Sequence, residues 1–257
     1  MNVRPLCLLA ALSVAGLLPA YADATVDELI AKARAACGPE AALNAITSVH
    51  YSGTLDATEK VPAKDDPTKT EDRPLRLALD SVFQKPYRHR IVLRSEGDKV
   101  VETTALDDYD AWTRRTETGK EDQVTLFDSA QIKRLRANTW EFLAFYRGIE
   151  KHGGHVESQG EAEVDGETCF VLSFVHAEDI RFTRYFDKAT GRLVKTVTDK
   201  NDEIREEGEI LVNGIHFPKK LIDRLPDGQV RTITFDSIKV NEDIPAEAFA
   251  VPAVPAR

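Results

Sequence analysis

The second half of the chain alternates apolar and polar residues in short runs. From Val164 to Val240 each run is closed by residues that favour reverse turns. The turns, at roughly regular spacing, are Asp165-Gly166, Glu178-Asp179, Asp187 to Gly191, Asn201-Asp202, Asn213-Gly214 and Pro226-Asp227-Gly228. Glycine supplies the positive φ that such turns need, and Asx or Pro starts them. The pattern predicts consecutive antiparallel strands joined by hairpins.

The same alternation assigns side chains to faces of the predicted sheet. A meander of this length buries one face only by curling or by being covered, so we expect a concave side. The apolar pairs expected to line it are Phe182 with Phe186 and Ile233 with Phe235. Ile238 and Val240 are out of phase with the second pair, which predicts a bulge or bend near Asp236.

The first residues after position 22 have a helical pattern. Thr25 and Glu28 form a capping-box sequence, and apolar residues then recur at helical spacing up to Cys37. Gly38-Pro39 is expected to end this amphipathic helix, and Pro39 to open a second short helix through Ile46.

Strands and one charged segment follow. The predicted strands are Ser48 to Asp56, Leu75 to Phe83, Tyr87 to Leu93, Lys99 to Ala105, Ala111 to Thr116 and Gln123 to Leu126. Gly53 is a candidate bulge in the first strand. Glu59 to Arg73 is rich in Lys, Asp, Pro and Thr, which predicts a mobile, solvated loop.

One segment interrupts the β pattern and carries the candidate site. Asp128 to Gln131 predicts a helix start, and apolar residues recur every three or four positions up to Gly148. The aromatic-rich part of this helix holds Trp140, Phe142, Leu143, Phe145 and Tyr146. One helical stripe cannot bury that much surface, so either the helix is sandwiched as ordinary core or part of it faces a cavity.

The first 22 residues, the length of the rest of the chain and the net charge narrow the class of protein. Residues 1–22 read as a secretory signal, with Arg4, an apolar stretch and Ala20-Tyr21-Ala22 as the cleavage site, which would leave 257 − 22 = 235 residues. We expect residues 23–257 to form a single periplasmic domain, monomeric and without a membrane anchor. The net charge of −9, or −10 without Arg4, argues against a nucleic-acid partner.

The order of these parts resembles the outer-membrane lipoprotein carrier and sorting superfamily, the LolA-like half-barrels. The segments that carry the resemblance are Ala41 to Ile46, Tyr51 to Leu55, Tyr185 to Leu193, Gly214 to Pro218 and Asn241 to Phe249. The resemblance implies a mainly β, α+β fold: a strongly curved, unclosed antiparallel half-barrel of about eleven strands, with helices covering the concave face. It also implies that a lipid or acyl chain binds between sheet and helices.

Catalytic and metal-binding motifs give no competing function. His152 and His155 lie beside glycines with no third ligand nearby in sequence, so we expect neither a metal nor a cofactor. Cys169 and His176 are seven residues apart on one strand and point to opposite faces. With no nucleophile elbow, phosphate loop or zinc-protease motif, we expect a protein that is not an enzyme.

Two questions stay open at the level of sequence. Cys37 and Cys169 form either a disulfide, which an oxidising compartment permits, or two free thiols. The concave face either holds a lipid, a lipidated protein's acyl chain or another apolar ligand, or is filled by the protein's own side chains. In the second case the protein would be an envelope interaction or sensing module with a protein partner.

Overall fold

A computed structural model describes residues 24–66 and 68–253 of the chain. The expected signal peptide lies outside these residues. The three α-helices of the described part are α1 (Val26–Cys37), α2 (Glu40–Asn44) and α3 (Ser129–Leu143). The strands are β1 (Ser48–Pro62), β2 (Thr70–Gln84), β3 (Arg88–Arg94), β4 (Val100–Asp107), β5 (Asp110–Glu117), β6 (Gln123–Leu126), β7 (His155–Val164), β8 (Glu167–Ala177), β9 (Ile180–Asp187), β10 (Leu193–Thr198), β11 (Glu203–Val212), β12 (Ile215–Arg224) and β13 (Val230–Val240).

All these strands belong to one antiparallel sheet that is curved and not closed. Its order is β6-β5-β4-β3-β2-β1-β13-β12-β11-β10-β9-β8-β7. Two meanders, β1 to β6 and β7 to β13, therefore meet at the pair β1 and β13. The two edges, β6 and β7, are linked through α3. The predicted half-barrel is confirmed, with 13 strands instead of about eleven.

The seam between β1 and β13 contains the predicted irregularity. Ser52 pairs with Ser237 and Gly53 pairs with Phe235, so Asp236 is the extra residue of a bulge. A Cβ on Gly53 would lie 2.0 Å from the carbonyl oxygen of Thr234. The bulge near Asp236 is confirmed, and Gly53 lies directly opposite it, where the two backbones approach too closely for any side chain.

The predicted capping box of α1 and the predicted start of α3 are confirmed. Thr25 and Glu28 satisfy each other's backbone N–H groups at the start of α1, and Asp128 and Gln131 do so at the start of α3. The predicted end of α3 was wrong: the helix stops at Leu143, five residues before Gly148. Ala144 caps the helix, and Phe145 and Tyr146 then turn away with left-handed backbone conformations.

The prediction of a charged loop from Glu59 to Arg73 was also wrong in extent. β1 continues to Pro62 and β2 begins at Thr70, with Pro62 and Thr70 as the last register pair. Beyond this pair the N–H of Ala63 still donates to the carbonyl oxygen of Lys69, so the described residues between the strands form a short turn. The backbone hydrogen bonds of a two-stranded ribbon need no apolar side chains, so a charged sequence does not prevent the strands from continuing beyond the core.

The core lies in the concave face, beneath the helices. One buried cluster joins α1 and α3 to β8 and β9, and includes Ile30, Trp140 and Phe174. A second joins α2 and the end of α3 to the seam, and includes Leu43, Leu143 and Phe235. The helices thus cover both halves of the sheet, and the space left between them is the candidate site.

Candidate ligand-binding cavity

A chamber of about 180 Å³ lies between the end of α3 and the concave face of the sheet. Its lining combines aromatic rings with a few charged groups. The lining residues are Cys37, Tyr51, Glu141, Phe142, Phe145, Tyr146, Phe182, Arg184, Leu193, Thr196, Ile204, Glu206, His216, Phe217, Pro218, Leu221 and Phe235. The chamber is therefore built from the end of α1, the end of α3 and strands on both sides of the seam.

The chamber adjoins a groove of about 390 Å³ that opens beside α1. Tyr146, Glu206 and Phe217 line both spaces. The groove adds Arg192 and Glu209, so its walls are more polar than those of the chamber. Together the two spaces run from the surface to the aromatic interior.

Several of the predicted site residues line this chamber and others do not. Phe142, Phe145, Tyr146, Phe182 and Phe235 line it. Of the others, Trp140, Leu143 and Phe186 are buried in the core, and Ile233 packs against the seam cluster. The aromatic-rich segment is thus partly core and partly chamber wall. Both interpretations of its sequence, ordinary core and cavity lining, apply to different residues of the segment.

The charged residues of the chamber were missed by sequence reasoning. Arg184 lies between Phe182 and Phe186 on the concave face of β9, and Glu206 follows Ile204 on that of β11. The sequence did contain one signal: each residue occupies a position in its strand where the apolar–polar alternation predicts an apolar side chain. A buried polar residue in an apolar phase is more informative than an apolar one.

Arg184 and Glu141 form a buried ion pair in the chamber wall. Their side chains are 7% and 6% exposed, and Arg184 Nη2 contacts Glu141 Oε2. The second carboxylate oxygen of Glu141 lies 2.7 Å from Nε2 of His176. Burial is the largest influence and opposes the charge of Arg184, but the charge and hydrogen bond of Glu141, together with Tyr146 and Glu206, outweigh it and raise the pKa of the guanidinium above its ordinary value.

Two nitrogens of Arg184 are left without hydrogen bonds. Nε and Nη1 are buried and have no hydrogen-bond partner among residues 24–66 and 68–253. The guanidinium instead lies over aromatic rings, with its carbon 4.9 Å from the ring centre of Phe174 and 5.1 Å from that of Tyr146. Ring faces attract the cation but do not replace hydrogen-bond acceptors.

Glu206 projects into the cavity from β11. Its side chain is exposed to the space of the cavity, yet protein surrounds it, and this burial raises its pKa from 4.5 to about 7. The positive charges of Arg184 and Arg192 lower the pKa but do not offset burial. A proton on Glu206 is therefore held more tightly in the folded than in the unfolded protein.

We predict that Glu206→Gln stabilises the protein above neutral pH. Between pH 4.5 and 7 the unfolded state loses the proton first, so stability of the wild type falls as pH rises. Solvent in the cavity screens the carboxylate and reduces the effect. The expected gain in the free energy of unfolding at pH 8 is therefore about 1 kcal/mol, which raises Tm by roughly 3 °C. Thermal unfolding of both proteins at pH 8 and pH 4 measures it.

At pH 4 the gain should vanish, because the carboxyl group is then protonated in both states. Glu207→Gln is the matched control, since Glu207 lies next to Glu206 and pairs with Lys220 on the outer face. Its Tm should differ from that of the wild type by less than about 1 °C at both pH values. A Glu206→Gln advantage that is equal at pH 4 and pH 8 would contradict the assignment.

The position of Phe145 and Tyr146 depends on Arg34 of α1. Both aromatic residues have positive φ angles, 46° and 70°. Arg34 Nη1 donates to the carbonyl oxygens of Ala144 and Phe145, at 3.1 and 2.6 Å. These bonds fix a backbone conformation that bulky residues rarely adopt and aim both rings at the chamber.

The disulfide alternative for Cys37 and Cys169 is excluded. Both are free thiols. Cys37 lines the concave chamber, where burial and the charge of Glu206 raise its pKa to about 11. Cys169 alternates with Phe170, which points into the concave core, and therefore faces the other side of the sheet. The sheet lies between the two sulfur atoms.

Metal-ligand clusters and membrane-spanning helices are both absent from the described residues. No group of three or more His, Cys, Asp or Glu side chains there is arranged to hold a metal ion. His155 instead pairs with Glu157 at 3.0 Å, and His152 packs on the ring of Tyr87. None of the helices in the described part is long and apolar enough to cross a membrane.

Comparison with solved structures identifies the fold. The chain is similar to a LolA superfamily protein from Nitrosomonas europaea, with a TM-score of 0.56 and 14% identity over 89% of this chain and 98% of that one. It is also similar to a DUF1329 family protein from Desulfovibrio piger, with a TM-score of 0.56 and 10% identity over 88% and 97%. No protein-family model and no curated protein matches the sequence. At these identities the likeness shows a LolA-like fold.

Proposed function

We propose that this protein is a periplasmic binder or carrier of a lipid, a lipoprotein acyl chain or another apolar ligand. The observation that carries the proposal is the chamber of about 180 Å³ that lies under α3 and adjoins an open groove. Each methylene that leaves water for such a space gains about 0.8 kcal/mol. Aromatic walls alone therefore supply affinity, without chemistry at the site. The secretory signal expected in residues 1–22 supports the location.

The proposal predicts that filling the chamber weakens binding. Leu221 lines the chamber from β12 and is only partly buried. In Leu221→Trp the larger ring should occupy the ligand space and weaken binding of a fluorescent acyl probe by at least about tenfold. Probe fluorescence titration measures the change, with circular dichroism to show that the sheet is intact.

Leu126→Trp is the matched control, because Leu126 on β6 is 65% exposed and lies away from the chamber. It should bind the probe like the wild type. Mass spectrometry of native protein from the periplasm should also detect a co-purified lipid. The proposal is refuted if the wild type neither takes up the probe nor carries a lipid.

The second candidate is an envelope interaction or sensing module with a self-filled interior. Its support is that the chamber alone is smaller than the roughly 300 Å³ of a typical ligand pocket. Much of the concave face is filled by packed rings: the ring centroids of the stacked pair Phe83 and Phe142 are 4.2 Å apart, and those of the tilted pair Tyr51 and Phe235 are 4.7 Å apart. In this case acyl ligands should leave Tm unchanged, whereas a ligand that binds the folded state must raise it.

A further inference from the structure

We propose that the chamber selects apolar ligands with one acidic headgroup, of the fatty-acid carboxylate type, and that Arg184 binds the carboxylate. This inference rests on the proposed function and names the ligand class for the same site. Neither the fold nor its likeness to other structures indicates a headgroup. The placement and bonding of Arg184 do.

Arg184 has buried donors without acceptors beside the chamber. It is 6% exposed, and its Nε and Nη1 lack acceptors among the described residues although Arg184 lines the chamber. A buried charged donor without an acceptor is costly, so such groups are retained where something else completes them. Carboxylate oxygens are acceptors that match guanidinium N–H groups in charge and geometry.

The charges around Arg184 favour a headgroup with a single negative charge. Glu141 already balances one positive charge, and Glu206 lies in the same chamber. Burial raises the pKa of Glu206 to about 7, so near neutrality it adds only part of a negative charge. One further carboxylate is tolerated there, whereas a doubly charged phosphate monoester would face repulsion from both glutamates.

The chamber is polar at one end and apolar at the other. Thr196 is the register partner of Arg184, which places its hydroxyl on the same wall. The other end is formed by Leu221, Phe235 and Tyr51, on β12, β13 and β1. A ligand whose head meets Arg184 therefore lays its tail across the strands toward the seam. With about 180 Å³ inside, the chamber suits a medium-length chain.

Competition between three ligands with the same chain tests the inference. Decanoate, decanol and decyl phosphate displace a neutral fluorescent naphthylamine probe from the full protein at pH 7. Decanoate should bind at least about tenfold tighter than decanol, as expected for hydrogen bonds to a charged donor. It should also bind tighter than decyl phosphate.

Replacing the ion pair as a unit should remove the preference. In the double variant Arg184→Met with Glu141→Met, both charges of the ion pair are removed together and His176 loses one hydrogen-bond partner, so the fold is expected to persist. Decanoate should then bind no tighter than decanol. Arg181→Met is the control, because Arg181 lies on the same strand, faces outward and contacts Glu157. Its preference should equal that of the wild type.

The outcomes separate this inference from the proposed function. Equal affinities of decanoate and decanol for the wild type would overturn the role of Arg184 and leave an apolar binder. Tighter binding of decyl phosphate would overturn the preference for a single charge. An unchanged decanoate preference in the double variant would also overturn the role of Arg184. Failure of the probe and all three ligands to bind would refute both proposals.

Discussion

Gly53→Ala is expected to destabilise the protein by about 3 kcal/mol, because the new methyl group has no room at the seam. Its Cβ would lie 2.0 Å from the carbonyl oxygen of Thr234 and 2.9 Å from the carbonyl carbon, both of them backbone atoms. The clash can be relieved only by separating β1 from β13. That pair is where the two meanders meet, so both halves of the sheet lose support. Denaturant unfolding measures the loss.

Gly160→Ala is the control for the seam. Gly160 lies in a bulge of β7 with φ of 78°, and a Cβ there meets nothing within 4 Å. Gly160→Ala should therefore lower the free energy of unfolding only by the cost of a left-handed alanine, about 1 to 2 kcal/mol. If Gly53→Ala lowers the free energy of unfolding no more than Gly160→Ala does, then β1 and β13 accommodate the methyl group and the prediction is wrong.

Arg34→Ala is expected to cost about 3 to 5 kcal/mol, roughly 10 °C in Tm. Arg34 is 2% exposed, and its three nitrogens bond Glu40, Asn44 and the carbonyl oxygens of Ala144 and Phe145. Its removal takes a donor from both carbonyl groups, leaves that of Ala144 with only the 3.3 Å bond from the N–H of Arg147, and releases the turn that follows α3. Thermal unfolding measures the loss of stability.

The same variant should change the chamber. With the turn released, the rings of Phe145 and Tyr146 lose their fixed positions, so affinity for an acyl probe should fall together with stability. Arg147→Ala is the matched control, since Arg147 contacts the same Glu40 but is half-exposed. It should cost at most about 1 kcal/mol. Equal losses in the two variants would show that Arg34 acts only as a partner of Glu40.

Local signals were sufficient for the beginnings of the helices. Thr25 with Glu28, and Asp128 with Gln131, satisfy backbone groups within one turn of chain, so their capping depends on nothing distant. The bulge at Asp236 was predictable for a related reason. Side chains on a strand alternate with a period of two, and a change of phase requires an extra residue.

Two predictions failed where backbone geometry depended on partners. The end of α3 is set by Arg34, which lies 110 positions before the carbonyl group of Ala144 that it binds. The two ends of the charged segment, Glu59 to Pro62 and Thr70 to Arg73, join the sheet through backbone pairing and an ion pair between Arg73 and Glu59, with Val61 as the one large apolar side chain. Neither interaction leaves a periodic trace in the sequence.

In the candidate site, too, some features were predictable from local sequence and others depended on distant partners. The aromatic segment of α3 and the faces of Phe182 and Phe235 indicated where an apolar space would lie. The pairing of Arg184 with Glu141, and the entry of Glu206 into the same space, required the sheet to curve and α3 to cross it. The phase of each charged residue was visible in the sequence, but its partner was not.

The sequence by itself determined the antiparallel meander, the helix starts and the bulge at Asp236, because each follows from turn chemistry, capping or side-chain alternation over a short stretch of chain. The LolA-like fold was expected from a resemblance in the order of these parts. Only the tertiary structure decided the size of the chamber, the clamp by Arg34 and the buried charges on its wall. These depend on contacts between residues far apart in sequence, and such contacts exist only once the sheet has curved around the helices.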